Sequence, residues 1–565
     1  MTTDSPSSHA FADFEIDHRP WQRFFPPGVK PAIAPLPFTS LPEMVRQTAV
    51  RFPDRTAFSN LGVGLSFREV DALSDRFGAW LQGGLGLKPG DRVVLQMPNL
   101  LQYPIAMFGA LKAGLIVVNA NPLYTPPELE KVVADCEPRA IVVLANFASN
   151  LEQILPRTTL EHVIVTEVGD LLPLPKRLLV NAMVKRVRKL VPRFSIPGAR
   201  RFREGLTSGH RLTPPTLGLE DVAFLQYTGG TTGGTKAAVL THRNLLANQE
   251  QFIGQLRSRF GSEQARVLAA LPLYHVFSLT VNCLGFFYLG AENILITNPR
   301  DTAGLVKTLR QTRPDAIILV NTLAAALLDA PGFAELPFER LKLTVAGGMA
   351  VRTRVAERWH EVTGQPLWEG YGLTEASPVV SFNPAHQPPR LGTIGIPLSS
   401  TDVQIRDDDG NALPIGEKGE LAVRGPQVMR GYWNAPEETA KVLLDDGWLL
   451  TGDVAMMDED GFLRIVDRKK ETIVVSGFNV YPGEIEDAAV MHPKVLEAGV
   501  IGVEDPRSGE VPKLFAVKSD PSLTEAELRA HLKTRLASYK RPRHIEFRSE
   551  LPKTNVGKVL RRALR

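Results

Sequence analysis

The chain has 565 residues, 44% of them hydrophobic, too long for one ordinary domain of roughly 100–200 residues and apolar enough to bury an ample core. Lys and Arg number 65 against 61 Asp and Glu, and a formal net charge of +4 singles out no nucleic acid partner. Two distant cysteines, Cys136 and Cys283, exclude a disulfide scaffold and a cysteine-built metal cage and suit a reducing compartment.

In chain order, residues 1–39 form an arm rich in proline and aromatics (Trp21, Phe24, Phe25, Pro26, Pro27), expected to lie extended on a core. It carries no basic start followed by an apolar run, the mark of a secretory signal. Order is expected from the capping box Ser40-Leu41-Pro42-Glu43, which opens a helix reaching Phe52. To about residue 165, helical stretches alternate with short apolar strands, clearest at 91–97 and 140–144, which predicts α/β layers with a largely parallel sheet. Residues 176–203 then hold ten Lys and Arg and no acid. Val180, Met183, Val184, Val187 and Val191 are spaced to share one helical face, with Lys185, Arg186, Arg188 and Lys189 largely elsewhere. Such a helix fits the surface of an anionic membrane as a peripheral contact, or equally an ordinary solvated face.

The α/β pattern resumes at 221 and runs to about 380 as a second sheet unit. Residues 392–466 read as short strands and turns, a small β unit; 467–470 (Asp467-Arg468-Lys469-Lys470) form a charged break, and 471–565 a compact α+β tail. The most apolar stretches, 279–289 and 316–328, are interrupted by Asn282 and by Asn321-Thr322, short of the roughly 18–20 residues of a spanning helix. A soluble, cytoplasmic protein is the expectation.

One stretch organises the chemistry. Between the buried-strand pattern Val222-Ala223-Phe224-Leu225-Gln226 and the helix start Leu240-Thr241-His242-Arg243-Asn244 lies Tyr227-Thr228-Gly229-Gly230-Thr231-Thr232-Gly233-Gly234-Thr235-Lys236. Glycines let backbone N–H groups approach an anion, threonines add hydroxyl donors and lysine adds charge, so the pattern reads as a phosphate cradle. It is not a Walker A loop, because Thr235 precedes Lys236 and Ala237 follows it, leaving no hydroxyl after the lysine. Four clusters accompany it: Ala346-Gly347-Gly348-Met349 after an apolar strand, Glu369-Gly370-Tyr371-Gly372-Leu373-Thr374-Glu375, Trp448-Leu449-Leu450-Thr451-Gly452-Asp453, and Leu551-Pro552-Lys553-Thr554-Asn555-Val556-Gly557-Lys558. Singly each is an ordinary turn or a solvated lysine; in this order they form a specific constellation.

The constellation resembles the adenylate-forming superfamily, which includes acyl-CoA synthetases, luciferases and peptide-synthetase adenylation domains. Over about 40–565 the chain looks most like bacterial long-chain fatty-acid–CoA ligases. Further stretches carrying that likeness are Met97-Pro98-Asn99, Asn121-Pro122-Leu123-Tyr124, Leu271-Pro272-Leu273-Tyr274-His275 and Ser476-Gly477-Phe478-Asn479-Val480-Tyr481-Pro482. The resemblance implies a large N-terminal domain (40–466) of two layered α/β sheet units with a small distorted β-barrel, a hinge at 467–470 and a mobile C-terminal domain (471–565). It implies ATP, Mg²⁺ and CoA as the reaction's requirements and a fatty acid as substrate. Thr228, Gly229, Gly230, Thr231, Thr232, Gly233 and Lys236 would cradle the phosphates, with Thr228 and Glu375 on the metal and Thr374 on the α-phosphate. Gly347, Gly348, Tyr371 and Gly372 would border the adenine, and Asp453 with Arg468 would hold the ribose. Lys558 would act as adenylate forms, Lys470 would be the hinge residue, Ser476 and Gly477 would line the CoA tunnel, and His275 would belong to the acyl pocket. Thr235, Ala237 and Leu450 depart from the pattern but remove no group the chemistry needs. Since no carrier domain follows residue 565, free CoA is the expected acceptor. Another carboxylic acid (medium-chain, aryl or specialised acyl) and a non-catalytic acyl- or nucleotide-binding protein are the alternatives, and a homodimer is left open.

Overall fold

A computed structural model describes residues 19–228, 236–475, 478–505, 508–553 and 559–564. The arm is fastened from its first described residues. Trp21 is buried, Arg19 reaches Asp402 at 2.7 Å, and the carbonyls of Lys30 and Pro31 accept from Ser399 Oγ and Ser400 N, both at 2.7 Å. Ser40 caps the helix Leu41–Arg51 as its sequence predicts.

Two large sheets follow. One has seven strands in the order Arg200–Arg201, His162–Thr166, Ala140–Leu144, Arg92–Gln96, Ile116–Asn119, Val222–Thr228 and Lys236–Thr241, parallel except for the last pair. The other has nine, centred on the parallel strands Trp368–Gly372, Leu343–Ala346, Ala316–Leu319, Arg266–Ala269, Glu292–Leu295 and Thr56–Asn60. Both faces of each are covered, which is why their strands read as continuous apolar runs. Val93, Leu95 and Val117 enter a core shared with Phe58, Ala269 and Leu295 of the other sheet, whereas Val94, Val118 and Ile141 pack on the opposite side against Leu129, Val132 and Val133.

The sheets are not contiguous in sequence, and this corrects the expectation of a second unit starting at 221. Val222–Thr228 and Lys236–Thr241 complete the first sheet, and Thr56–Asn60 with Val63–Ser66 belong to the second. Local periodicity shows that a strand exists but not which sheet accepts it, because pairing partners lie hundreds of residues away. The small β unit is a four-stranded antiparallel meander, Asp402–Arg406, Gly419–Arg424, Leu449–Met457 and Leu463–Arg468, bridged to the nine-stranded sheet at Gly395 and Leu463. The charged break begins inside its last strand and continues as the turn Lys469–Glu471. The C-terminal sheet (Phe478–Val480, Ile473–Val475, Gly509–Lys518, Val495–Asp505 and His544–Arg548) has its own core around Ile473, Ile485, Val500 and Leu514.

The basic segment also differs from its sequence reading. It is helical over Leu174–Ala182 and Met183–Val187 and ends near Lys189, where φ is +50°. Val191 therefore lies beyond the helix. Asn181 pins the inner face, accepting from Gly169 N at 2.7 Å and donating to Glu167 at 2.8 Å. Val180 and Val184 turn partly inward, while Met183 and Val187 face out with Leu174, Leu178, Leu179 and Leu190; Val187 is 76% exposed. No helix among the described residues is long and apolar enough to cross a membrane.

Candidate active site

Those of the singled-out residues that the structure describes lie at strand ends of the two large sheets and on the meander. Gly347 and Gly348 follow Leu343–Ala346, and Tyr371 and Gly372 close the neighbouring strand Trp368–Gly372. A Cβ on Gly372 would lie 2.1 Å from the carbonyl oxygen of Pro378, so only glycine fits; Gly348 has φ +76°. Across from them, Asp453 pairs with Arg468 in the meander. Asp453 is 3% exposed, and its two carboxylate oxygens are held separately. Tyr371 donates its hydroxyl to Oδ2 at 2.5 Å, and Arg468 Nε approaches Oδ1 at 2.7 Å. Burial first, then the Asp453 charge, raises the Tyr371 pKa, so the phenol stays a donor. A carboxylate has about four lone-pair sites, so each of its oxygens can accept more than one hydrogen bond.

Elsewhere, Thr228 faces Lys236 across the antiparallel pair that brackets 229–235. Lys236 forms an ion pair with Glu438, and its Nζ stands 5.2 Å from the centre of the Tyr432 ring. Side-chain hydrogen bonds from Lys236 and Lys441 pull the Glu438 carboxyl down to about 2. Glu375 sits in the turn Thr374–Ala376; its Oε1 accepts from Tyr432 Oη at 2.7 Å and its carbonyl from Met429 N at 2.8 Å. No group of three or more His, Cys, Asp or Glu able to hold a metal occurs among the described residues. Mg²⁺ takes one or two hard protein oxygens and completes its octahedron with phosphates and water. The hydroxyl of Thr228 and one oxygen of Glu375 are of the right kind.

His275 caps the short helix Val276–Ser278, its Nδ1 accepting from Phe277 N at 3.3 Å, and burial lowers its pKa, so it is neutral. The Phe277 ring reaches within 3.1 Å of where a Gly347 Cβ would stand, which sets this helix beside the glycine pair. Lys470 lies in the turn Lys469–Glu471. Gly229, Gly230, Thr231, Thr232, Gly233, Ser476, Gly477 and Lys558 lie outside the described residues. Their flanks are placed: Val475 pairs with Phe478, and Lys553 bridges to Val559.

Three residues here have roles that the sequence reading does not assign, although Glu369 is named there as the start of its cluster. Tyr432 joins the glutamate to the lysine. Arg561 is clamped by Asp467 at 2.7 Å, by Glu486 at 2.7 Å and by Glu471, across the charged break. Glu369, the second residue of the Tyr371 strand, is buried with Val351 N donating to it at 3.0 Å; burial, and then Asp487, raise its carboxyl to about 8. Asp487 itself rises to about 6 through burial and Glu486. No local pattern marks these roles, since each has its meaning only through partners distant in sequence.

A parallel-sheet body whose strand ends gather glycines, a twice-held carboxylate and a phosphate-type strand pair, followed by a small α/β unit, defines the architecture of an adenylate-forming enzyme. The AMP-binding enzyme family matches residues 45–433 and its C-terminal domain matches residues 484–558, so the chain belongs to that family. It is 53% identical over 547 residues to a long-chain-fatty-acid–CoA ligase of Yersinia pestis, covering 96% of this chain and 97% of the relative. It is 39% identical over 554 residues to the Bacillus subtilis enzyme of that name, covering 97% of each. The anthranilate CoA ligase AuaEII in complex with anthranoyl-AMP shares the fold, with a TM-score of 0.82 and 27% identity over 95% of this chain and 98% of that one.

Proposed function

We propose that this chain is an ATP-dependent long-chain fatty acid–CoA ligase. It activates a fatty carboxylate as acyl-AMP with release of pyrophosphate and then passes the acyl group to the thiol of CoA. The observation that carries this reading is Asp453, buried and held by Tyr371 and Arg468, a carboxylate suited to a ribose diol. The identity to long-chain ligases supports the acyl substrate.

In the first half-reaction a carboxylate oxygen attacks the α-phosphorus and the bond to pyrophosphate breaks. Adenine lies against Gly347, Gly348, Tyr371 and Gly372, the ribose hydroxyls donate to Asp453, and Arg468 keeps that carboxylate oriented. Thr374 donates to the α-phosphate, while Lys236 leaves Glu438 for the β- and γ-phosphates with Thr228 and the loop 229–233. Mg²⁺, when bound through Thr228 and Glu375, supplies positive charge to a crowded anionic phosphorus. Lys558 neutralises the charge that builds as the two anions meet. In the second half-reaction the thiol sulfur attacks the acyl carbonyl, the bond to AMP breaks, and Ser476 and Gly477 line the thiol's path. One pocket serves both steps because the unit 471–565 turns on 467–470, with the backbone of Lys470 absorbing the change relative to 40–466. Neutral His275 forms part of the acyl wall.

The test measures pyrophosphate release on acids of graded chain length, with and without CoA. ATP-dependent release should peak among long chains, with thioester only when CoA is present. A peak among aryl acids, or no release with any acid, would refute the reading.

A second reading concerns substrate supply. Leu178, Leu179, Met183 and Val187 protrude beside Lys185, Arg186, Arg188 and Lys189, and residues 171–203 contain no acid. This face is proposed to rest on an anionic bilayer, where fatty acid partitions, each basic residue adding about 1 kcal/mol near the surface.

A further inference from the structure

We infer that Tyr432 is a positioning residue that ties the metal-binding carboxylate to the phosphate-binding lysine, so that the two act as one unit on ATP. The inference rests on the reading of Glu375 as a metal ligand. Tyr432 donates its hydroxyl to Glu375 Oε1 at 2.7 Å, and the face of the same ring lies 5.2 Å from Lys236 Nζ. One side chain therefore touches both halves of the triphosphate site.

The residue is built into place. Residues 430–433 add an edge to the strand Lys236–Thr241. Arg430 N donates to Val239 O at 3.1 Å, Val239 N to Gly431 O at 2.9 Å, and Trp433 N to Ala237 O at 2.8 Å, with Ala238 bridged to Tyr432. Tyr432 N donates to Thr439 Oγ1 at 2.8 Å, and a Cβ on Gly431 would lie 2.8 Å from the Thr439 methyl group. Glycine at 431 is thus what lets Thr439 approach and lock the tyrosine. These hydrogen bonds join the tyrosine directly to the strand Lys236–Thr241.

The chemistry follows from the occupied oxygen. With Oε1 held by a phenol, Glu375 presents Oε2 to a cation in a fixed, monodentate orientation. Outer-shell donors of this kind are worth about 10–100-fold in metal affinity. Meanwhile the ring's negative face steadies the ammonium of Lys236 as that group exchanges Glu438 for phosphate.

The variant Tyr432→Phe removes the hydroxyl and keeps the ring. Binding of Mn²⁺ with a non-hydrolysable ATP analogue, followed by electron paramagnetic resonance, should weaken about 10–100-fold. The Mg²⁺ concentration giving half-maximal pyrophosphate release should rise by a similar factor, and the defect should shrink as Mg²⁺ saturates. A structural defect would persist at every Mg²⁺ concentration. Tyr432→Leu also lacks the hydroxyl and carries the same comparison should Tyr432→Phe not fold; losing the ring as well, it should also raise the KM for ATP. Glu375→Gln runs alongside. If Glu375→Gln weakens Mn²⁺ binding and the Tyr432 variants bind within twofold of the parent, the inference is overturned while the metal assignment stands. If Glu375→Gln also binds like the parent, both fail.

Discussion

Glu369→Gln is the substitution whose effect can be worked furthest from the structure. Glu369 is the second residue of the strand Trp368–Gly372 that carries Tyr371, and its buried carboxyl feels the charge of Asp487 on the helix Pro482–Val490 in the C-terminal unit. Burial, then the Asp487 charge, move it from an ordinary 4.5 to about 8, while the N–H of Val351 acts in the opposite direction. Below pH 4.5 the group is protonated whether the chain is folded or not, and its stabilising contribution is complete. As pH rises, the unfolded chain ionises freely but the folded chain holds its proton, so stability is lost progressively until about pH 8. At about 1.4 kcal/mol per pH unit, the loss is on the order of 5 kcal/mol. The substituted amide would stay neutral and still accept from Val351 N, so the variant should escape that loss. Urea unfolding followed by tryptophan fluorescence, to which buried Trp368 contributes next door, should give a midpoint difference between variant and parent that grows in the variant's favour from about pH 5 to about pH 8.5. Parallel midpoints across that range would refute the argument. Asp487→Asn should reproduce part of the effect, since it removes the second cause.

The remaining predictions concern activity and docking. Lys558→Ala should slow acyl-AMP formation about 10²–10³-fold yet still convert supplied acyl-AMP and CoA to thioester, and equal losses in the two half-reactions would contradict its assignment. Lys470→Pro, by fixing φ, should leave acyl-AMP formation and abolish thioester formation; thioester at the parent rate would exclude a hinge there. Reversing charge at Lys185, Arg186, Arg188 and Lys189 should remove several kcal/mol of attraction to phosphatidylserine vesicles. Unchanged sedimentation with such vesicles would leave residues 176–203 an ordinary surface helix.

What the sequence makes legible here is whatever depends on neighbours along the chain. The capping box at Ser40, the strands Arg92–Gln96 and Ala140–Leu144 and the glycine pair after Leu343–Ala346 each follow from local pattern, and each stands where that pattern puts it. What it conceals depends on which distant surface an element meets. The helix Leu174–Ala182 shows this well, because its spacing is compatible with more than one buried face. Asn181 decides between them by hydrogen bonding to Gly169 and Glu167, and so turns Val180 and Val184 inward and Met183 and Val187 outward. The same logic explains why Asp453 was readable and Tyr432 was not. Asp453 sits in Thr451-Gly452-Asp453, within one of the clusters whose order along the chain carries the family resemblance, and its role comes from that resemblance. Tyr432 lies in Gly431-Tyr432-Trp433, which reads as packing until the chain folds and brings Glu375 and Lys236 to opposite parts of one ring. Groups that touch a ligand stand in clusters legible along the chain, whereas groups that aim those residues carry their chemistry only in their position. The second kind emerges from geometry, and at this site it links a carboxylate and a lysine 139 residues apart in the chain.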